Sequence, residues 1–208
     1  MDTREKILRR ASQLFFTRGI KHVTMDELAM EVGVSKRTIY EVFKDKYDLL
    51  QASIHFFQNE REQLLKNIID HSENVIDSIV RMLNLGLEST KLVTPIYLHE
   101  LKKFYPEVWD ETIRKSRESS HDKLQKLLDR GKQEGVFRDD INSRLVARIF
   151  YEQMFLVHNK DIFPEEEFPT KELYENIFLN FARGICTLKG LKMLEELLTD
   201  PKTNRFGL

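Results

Sequence analysis

From Ile7 onward the apolar residues of this chain fall at steps of three and four, and little interrupts them. Ile7, Leu8, Ala11, Leu14 and Phe15 share one face of a helix, the pattern of a segment that buries a single stripe. Similar spacing returns in Leu28, Ala29 and Val32, in Leu49, Leu50, Ile54 and Phe57, and in longer windows beyond. Five prolines and eight glycines in 208 residues are too few for a turn-rich β-sandwich. The chain is expected to be all-α.

Local signals place the helix ends. The first helix should begin after Asp2 or Thr3 and end at Gly19. Thr24 and Glu27 have the spacing of a capping box, in which the hydroxyl accepts from an orphan amide and the carboxylate reaches back to the cap. That second helix should stop at Gly33, which tolerates a left-handed backbone. Ser35 is a good N-cap for a short third helix. Asp45, with Asp48 in the first turn, should open a fourth helix running to about His71, a rod roughly 40 Å long. Further helices are expected over 74–90, from Pro95 through Phe104, and from Pro106 to about Glu134. After a turn at 135–140 come two more, near 141–159 and 170–188, separated by a loop holding Pro164 and Pro169.

The last two expected helices are apolar on more than one side. Leu145, Ile149 and Leu156 form one stripe, with Val146, Phe150 and Met154 beside it. Leu173, Ile177 and Phe181 form another, flanked by Tyr174, Phe178 and Ile185. Two stripes suggest burial on two sides, against the domain's own core and against something else. A central position in a monomeric bundle would produce the same pattern. Which stripe would face a partner is open at this level.

The short third helix has unlike faces. Ile39 and Phe43 sit four apart and can anchor it to a core. Lys36, Arg37, Thr38 and Tyr40 stay outside, concentrated at its N-terminal end. Helix, glycine-containing turn, helix is the plan of the helix-turn-helix, whose second helix lies in the DNA major groove with N-terminal residues at base edges. Lys44 and Lys46 follow where the chain would cross the DNA backbone.

Charge neither compels nor forbids this assignment. Lys and Arg total 33 against 34 Asp and Glu, but residues 1–50 carry ten basic against eight acidic groups, a small tilt. Binding depends on local clustering rather than net charge. Cys186 is alone, so no intramolecular disulfide can form. The charged amphipathic N-terminus is unlike a signal peptide, and no apolar run approaches a membrane span, so a cytoplasmic protein is expected. Enzymatic signals fail: His99 and Glu100 begin a zinc-binding helix pattern, but Lys103 stands where the second histidine should be. No cofactor, metal or catalytic role is expected.

Residues 3–50 resemble the N-terminal domain of the TetR family of transcriptional regulators. The resemblance is carried by FFTRG at the end of the first helix, the Thr24 cap, the run LAMEVGVSKRTIY, and the tail FKDKYDLL. It implies a fold in which a three-helix DNA-binding domain, here residues 1–47, precedes a helical effector-binding and dimerisation domain, here 48–208. It further implies that Lys36, Arg37 and Thr38 face base edges or nearby phosphates, that Tyr40 contacts phosphate or a thymine methyl, and that Thr24 and Lys46 clamp backbone phosphates. Glu41 and Val42 depart from the family pattern, which often has an aromatic residue and a histidine there. Glu41 could accept from cytosine N4 or simply pair with a neighbouring lysine in solvent.

An effector pocket is implied mainly by the resemblance. The candidate lining is Phe57, Tyr97, His99, Phe104, Trp109, Phe150, Met154 and His158, apolar walls with a few polar groups; ordinary core is the competing account of each. The resulting expectation is a homodimeric regulator, a repressor released from a palindromic double-stranded DNA operator by an unidentified small-molecule effector. Repressor and activator share these features. A helical protein-docking module is the alternative, and the steep salt dependence of phosphate contacts separates the two.

Overall fold

A computed structural model describes residues 2–157 and 159–199, without the side chain of Thr90. Among the described residues the chain is helical, in the order α1 (Thr3–Arg18), α2 (Met25–Val32), α3 (Lys36–Val42), α4 (Lys46–His71), α5 (Val75–Leu92), α6 (Pro95–Phe104), α7 (Pro106–Gln133), α8 (Ser143–Leu156), α9 (Thr170–Ile185) and α10 (Leu188–Thr199). None of these helices is long and apolar enough to cross a membrane.

The helix ends follow from side-chain chemistry. Asp2 accepts from the Glu5 amide at 2.6 Å and opens α1. Thr24 accepts from the Glu27 amide at 3.1 Å and opens α2. The reciprocal arm of that capping box is used elsewhere, because the Glu27 carboxylate pairs with Arg18 on α1. Gly33 closes α2 at φ +75°. There the Val34 amide reaches Ala29 O at 3.0 Å and the Gly33 amide reaches Met30 O at 3.3 Å, the paired bonds of a Schellman turn. Ser35 then accepts from the Thr38 amide at 3.0 Å, so α3 starts two residues beyond the turn. Asp45 accepts from the Asp48 amide at 2.9 Å, while Asp48 accepts from the Lys44 amide at 3.0 Å.

Packing divides the chain into two compact units. The first comprises residues up to Leu65 together with Lys91–Ile113. Its core joins Ile7, Leu8, Leu14 and Phe15 of α1 to Leu28 of α2, Ile39 and Phe43 around α3, Leu49 and Leu50 of α4, and Tyr97 and Leu101 of α6. The second comprises Lys66–Thr90 together with residues from Arg114 onward. There Val75, Ile76 and Val80 of α5 share a core with Leu128 of α7, Ala147 of α8, and Phe178 and Ala182 of α9.

The C-terminal end corrects the sequence expectation. The last expected helix, 170–188, instead stops at Ile185, where Cys186 is extended and forms an isolated antiparallel bridge with Phe137. Arg138 donates to Ile185 O at 2.9 Å and Thr187 to Val136 O at 3.0 Å across it. The chain then restarts as α10, with the Thr187 hydroxyl accepting from the Gly190 amide at 3.2 Å and Leu194 and Leu198 buried. The Thr187 cap and the Leu194/Leu198 spacing were readable locally. The pairing that separates the two helices was not, because its partner lies about fifty residues upstream.

Candidate nucleic-acid interface

The site is built on α3. Ile39 is fully buried and Phe43, just past its end, nearly so, which turns the opposite face outward. On that face lie Lys36, Arg37 and Tyr40, all exposed, with Thr38 half-buried between them. A helix only seven residues long cannot hold this orientation alone. The two buried anchors and the α2–α3 turn hold it.

Each outward group has a defined partner in the DNA-free chain. Lys36 Nζ lies 2.8 Å from Asp26 on the first turn of α2, and that carboxylate holds the ammonium pKa above its usual value. Arg37 donates from Nε to Glu41 at 2.9 Å, one turn along α3. The Thr38 and Ser35 hydroxyls are 2.8 Å apart. Exposed pairs of this kind are weak in water and yield readily to a polyanion. Glu41 therefore has an arginine, rather than a lysine, as its neighbour.

The remaining expected contacts flank the helix. Thr24 is exposed at the start of α2, Lys44 is exposed after α3, and Lys46 begins α4, partly buried. Burial pushes the Lys46 pKa down, while the carboxylates of Glu100 and Glu27 pull it up. Its Nζ stands 3.5 Å from the Lys21 carbonyl. One flanking group was not foreseen: Glu100 of α6, which reaches the α1–α2 turn. Nothing local could have marked it, since eighty residues separate it from its closest partner, Ile20.

The expected effector residues are dispersed. Tyr97 is 4% exposed, and burial pushes its phenol pKa far above normal. It meets Phe16 edge-on at 4.9 Å, and Phe57 meets the same ring at 4.7 Å. Trp109 packs against this core from its edge. His99 and Phe104 are exposed, with Lys21 Nζ 3.5 Å above the Phe104 ring. Phe150 belongs to the other unit, stacked 4.1 Å from Phe181, and Met154 is half-buried on the same helix. His158 lies outside the described residues.

A second surface lies on α8 and α9. Leu145, Ile149 and Leu156 are 55%, 48% and 40% exposed, whereas Phe178, one helix away, is 3% exposed. Between the helices runs a groove of about 490 Å³, lined by Val146, Ile149, Gln153, Ile177, Asn180 and Phe181 among others. The two stripes of α8 are thus distinguished: Val146 and Phe150 pack on the core, and the Leu145 stripe does not.

A helix-turn-helix that presents basic and hydroxyl side chains outward, carried on a larger helical chain, defines a DNA-binding transcriptional regulator. Residues 7–53 match the family described as bacterial regulatory proteins, tetR family, and this chain belongs to that family. The HTH-type transcriptional regulator YvaF of Bacillus subtilis (strain 168), itself uncharacterised, is 28% identical over 87% of this chain and 94% of its own. The transcriptional repressor BepR of Brucella suis biovar 1 (strain 1330) is 38% identical, over 31% of each chain. Among solved structures, reduced NemR of E. coli superposes with a TM-score of 0.72 at 19% identity, covering 89% of this chain and 98% of that one. A TetR-family regulator from Agrobacterium tumefaciens gives 0.69 at 17%, with the same coverage. These relatives are regulators and not enzymes, and so is this chain.

Proposed function

We propose that the chain acts as a homodimeric repressor, with residues 1–47 binding DNA and residues 48–208 dimerising and receiving a small-molecule effector. The observation that carries DNA recognition is the outward face of α3. In this reading Lys36, Arg37 and Thr38 meet base edges or adjacent phosphates, Tyr40 a phosphate or thymine methyl, and Thr24, Lys44 and Lys46 the backbone. Arginine's terminal nitrogens match guanine O6 and N7. The Arg37–Glu41 bond uses Nε and does not consume them.

Dimerisation is supported by the uncovered Leu145–Ile149–Leu156 stripe and the groove beside it. The occupant is a second copy of the same two helices. An isologous contact lays each stripe on its own equivalent, and the groove's rim of Asn and Gln is uncharged, as the centre of an interface tends to be. Two heads joined in this way would read a palindrome with half-sites roughly 34–36 Å apart. Repression and effector release follow the family pattern, and the repressor named among the relatives agrees with it. The effector would act by preferring one head spacing over the other.

The test is selection of duplexes from a random-sequence pool, followed by titration over a range of salt. A palindromic consensus bound with a steep negative salt slope supports the proposal. Absence of sequence enrichment, with a flat slope, would return the chain to the protein-docking alternative.

A further inference from the structure

The α1–α2 turn is held from outside the helix-turn-helix. Glu100 of α6 is 7% exposed, and its Oε2 accepts from the Ile20 amide at 2.5 Å and the Lys21 amide at 2.9 Å. Thr94, at the start of α6, grips the other side. Its amide and its hydroxyl both donate to the Phe16 carbonyl, at 3.0 Å and 2.8 Å. These bonds satisfy backbone groups that the end of α1 leaves without helical partners.

The fit is close. Gly19 sits at φ +85°, and a Cβ there would come within 2.8 Å of Ile96 Cγ2 and 3.0 Å of Glu100 Oε2. A carboxylate removed from water is costly unless it is hydrogen-bonded or paired. Here it has two amides and lies within the electrostatic reach of Lys46. Lys46 in turn stands beside the Lys21 carbonyl, on the same turn. Three residues beyond Lys21 the chain arrives at Thr24. Both backbone-facing groups are therefore placed relative to a turn whose amides are bound to Glu100.

We propose that Glu100 is a positioning residue for DNA binding: by anchoring the α1–α2 turn from α6, it sets where Thr24 and Lys46 meet the phosphate backbone. The idea rests on the placement of those two residues at phosphates. It makes α6 the element through which the head is held in register or released. An effector that shifts α6 would act on operator affinity by drawing this carboxylate off its two amides.

The test uses the full chain and the tightest duplex recovered by the unmodified protein from a random-sequence pool. Glu100→Ala is expected to keep its helicity and cooperative melting, and to lose at least tenfold in affinity. Its plot of log affinity against log salt should flatten by about one, the contribution of roughly one lysine–phosphate contact. Glu100→Gln retains an oxygen acceptor for both amides and should recover most of the loss. A folded Glu100→Ala with unmodified affinity and slope overturns the proposal. Where Glu100→Ala does not fold, Glu100→Asp decides. It keeps the charge but is one methylene too short for both amides, so an affinity loss of threefold or more with a flatter slope is expected, and unmodified binding overturns the proposal. Lys46→Ala serves as the control on the underlying placement. An unchanged slope there removes Lys46 from the phosphates, and the proposal falls with that placement rather than with the clasp.

Discussion

Arg37 and Glu41 meet at 2.9 Å on the outward face of α3, one helical turn apart, with side chains 88% and 59% exposed. An exposed pair at this spacing adds only about 0.3–0.5 kcal/mol to the helix. Its effect on recognition is of a different kind, because Glu41 places a negative charge beside the expected phosphates and also steadies the arginine. Glu41→Ala is expected to raise affinity for random duplex a few-fold while the ratio of selected to random binding falls. Competition titration with both duplexes checks this. An equal rise for both would make Glu41 only a solvated charge.

Lys36 and Arg37 contribute little to the fold, since their partners are exposed carboxylates. Replacing either with Ala is expected to abolish selective binding, a loss of about 1–3 kcal/mol for each bidentate base contact. Melting should shift by no more than the ±0.5 kcal/mol typical of surface changes. Calorimetric melting beside an affinity measurement separates the two effects. Early melting of either variant would make that residue structural.

Phe43 is 1% exposed and shares a core with Ile39, Leu49 and Leu50. Phe43→Ala should destabilise the first unit by about 3–5 kcal/mol, abolishing selective and random DNA binding together. Denaturant titration would reveal this as a lower midpoint. Normal stability with altered sequence preference would instead place Phe43 at the DNA.

On α8 and α9 the expected outcome depends on which side of the helix is altered. Ile149→Glu adds charge to the exposed stripe and should produce folded monomers with weakened DNA binding. Phe178→Glu places the same charge in the core, at a cost of several kcal/mol, and should unfold the second unit. Sedimentation and circular dichroism report the two outcomes. An unmodified chain that remains monomeric at micromolar concentration would rule out the interface.

The helices of the first unit were legible because their signals are local. Asp2, Thr24, Ser35 and Asp45 each accept an amide three residues on, and Gly33 closes its helix through its own positive φ. The outward basic end of α3 was legible for the same reason. Two buried positions four apart on a seven-residue helix determine what remains exposed. Tertiary structure decided the rest. The doubled stripes on α8 could not be ranked from their pattern, since Val146 and Leu145 are equally apolar and only the packing of α9 shows which is covered. Tyr97 and Phe57 looked as much like pocket walls as core until Phe16 was seen between them. The α9–α10 break depends on a bridge to Phe137, and the anchoring of the DNA-binding head depends on Glu100. Caps and stripes are written within one or two helical turns of sequence. A hydrogen bond across eighty residues leaves no periodic trace, and it exists only once both helices have folded.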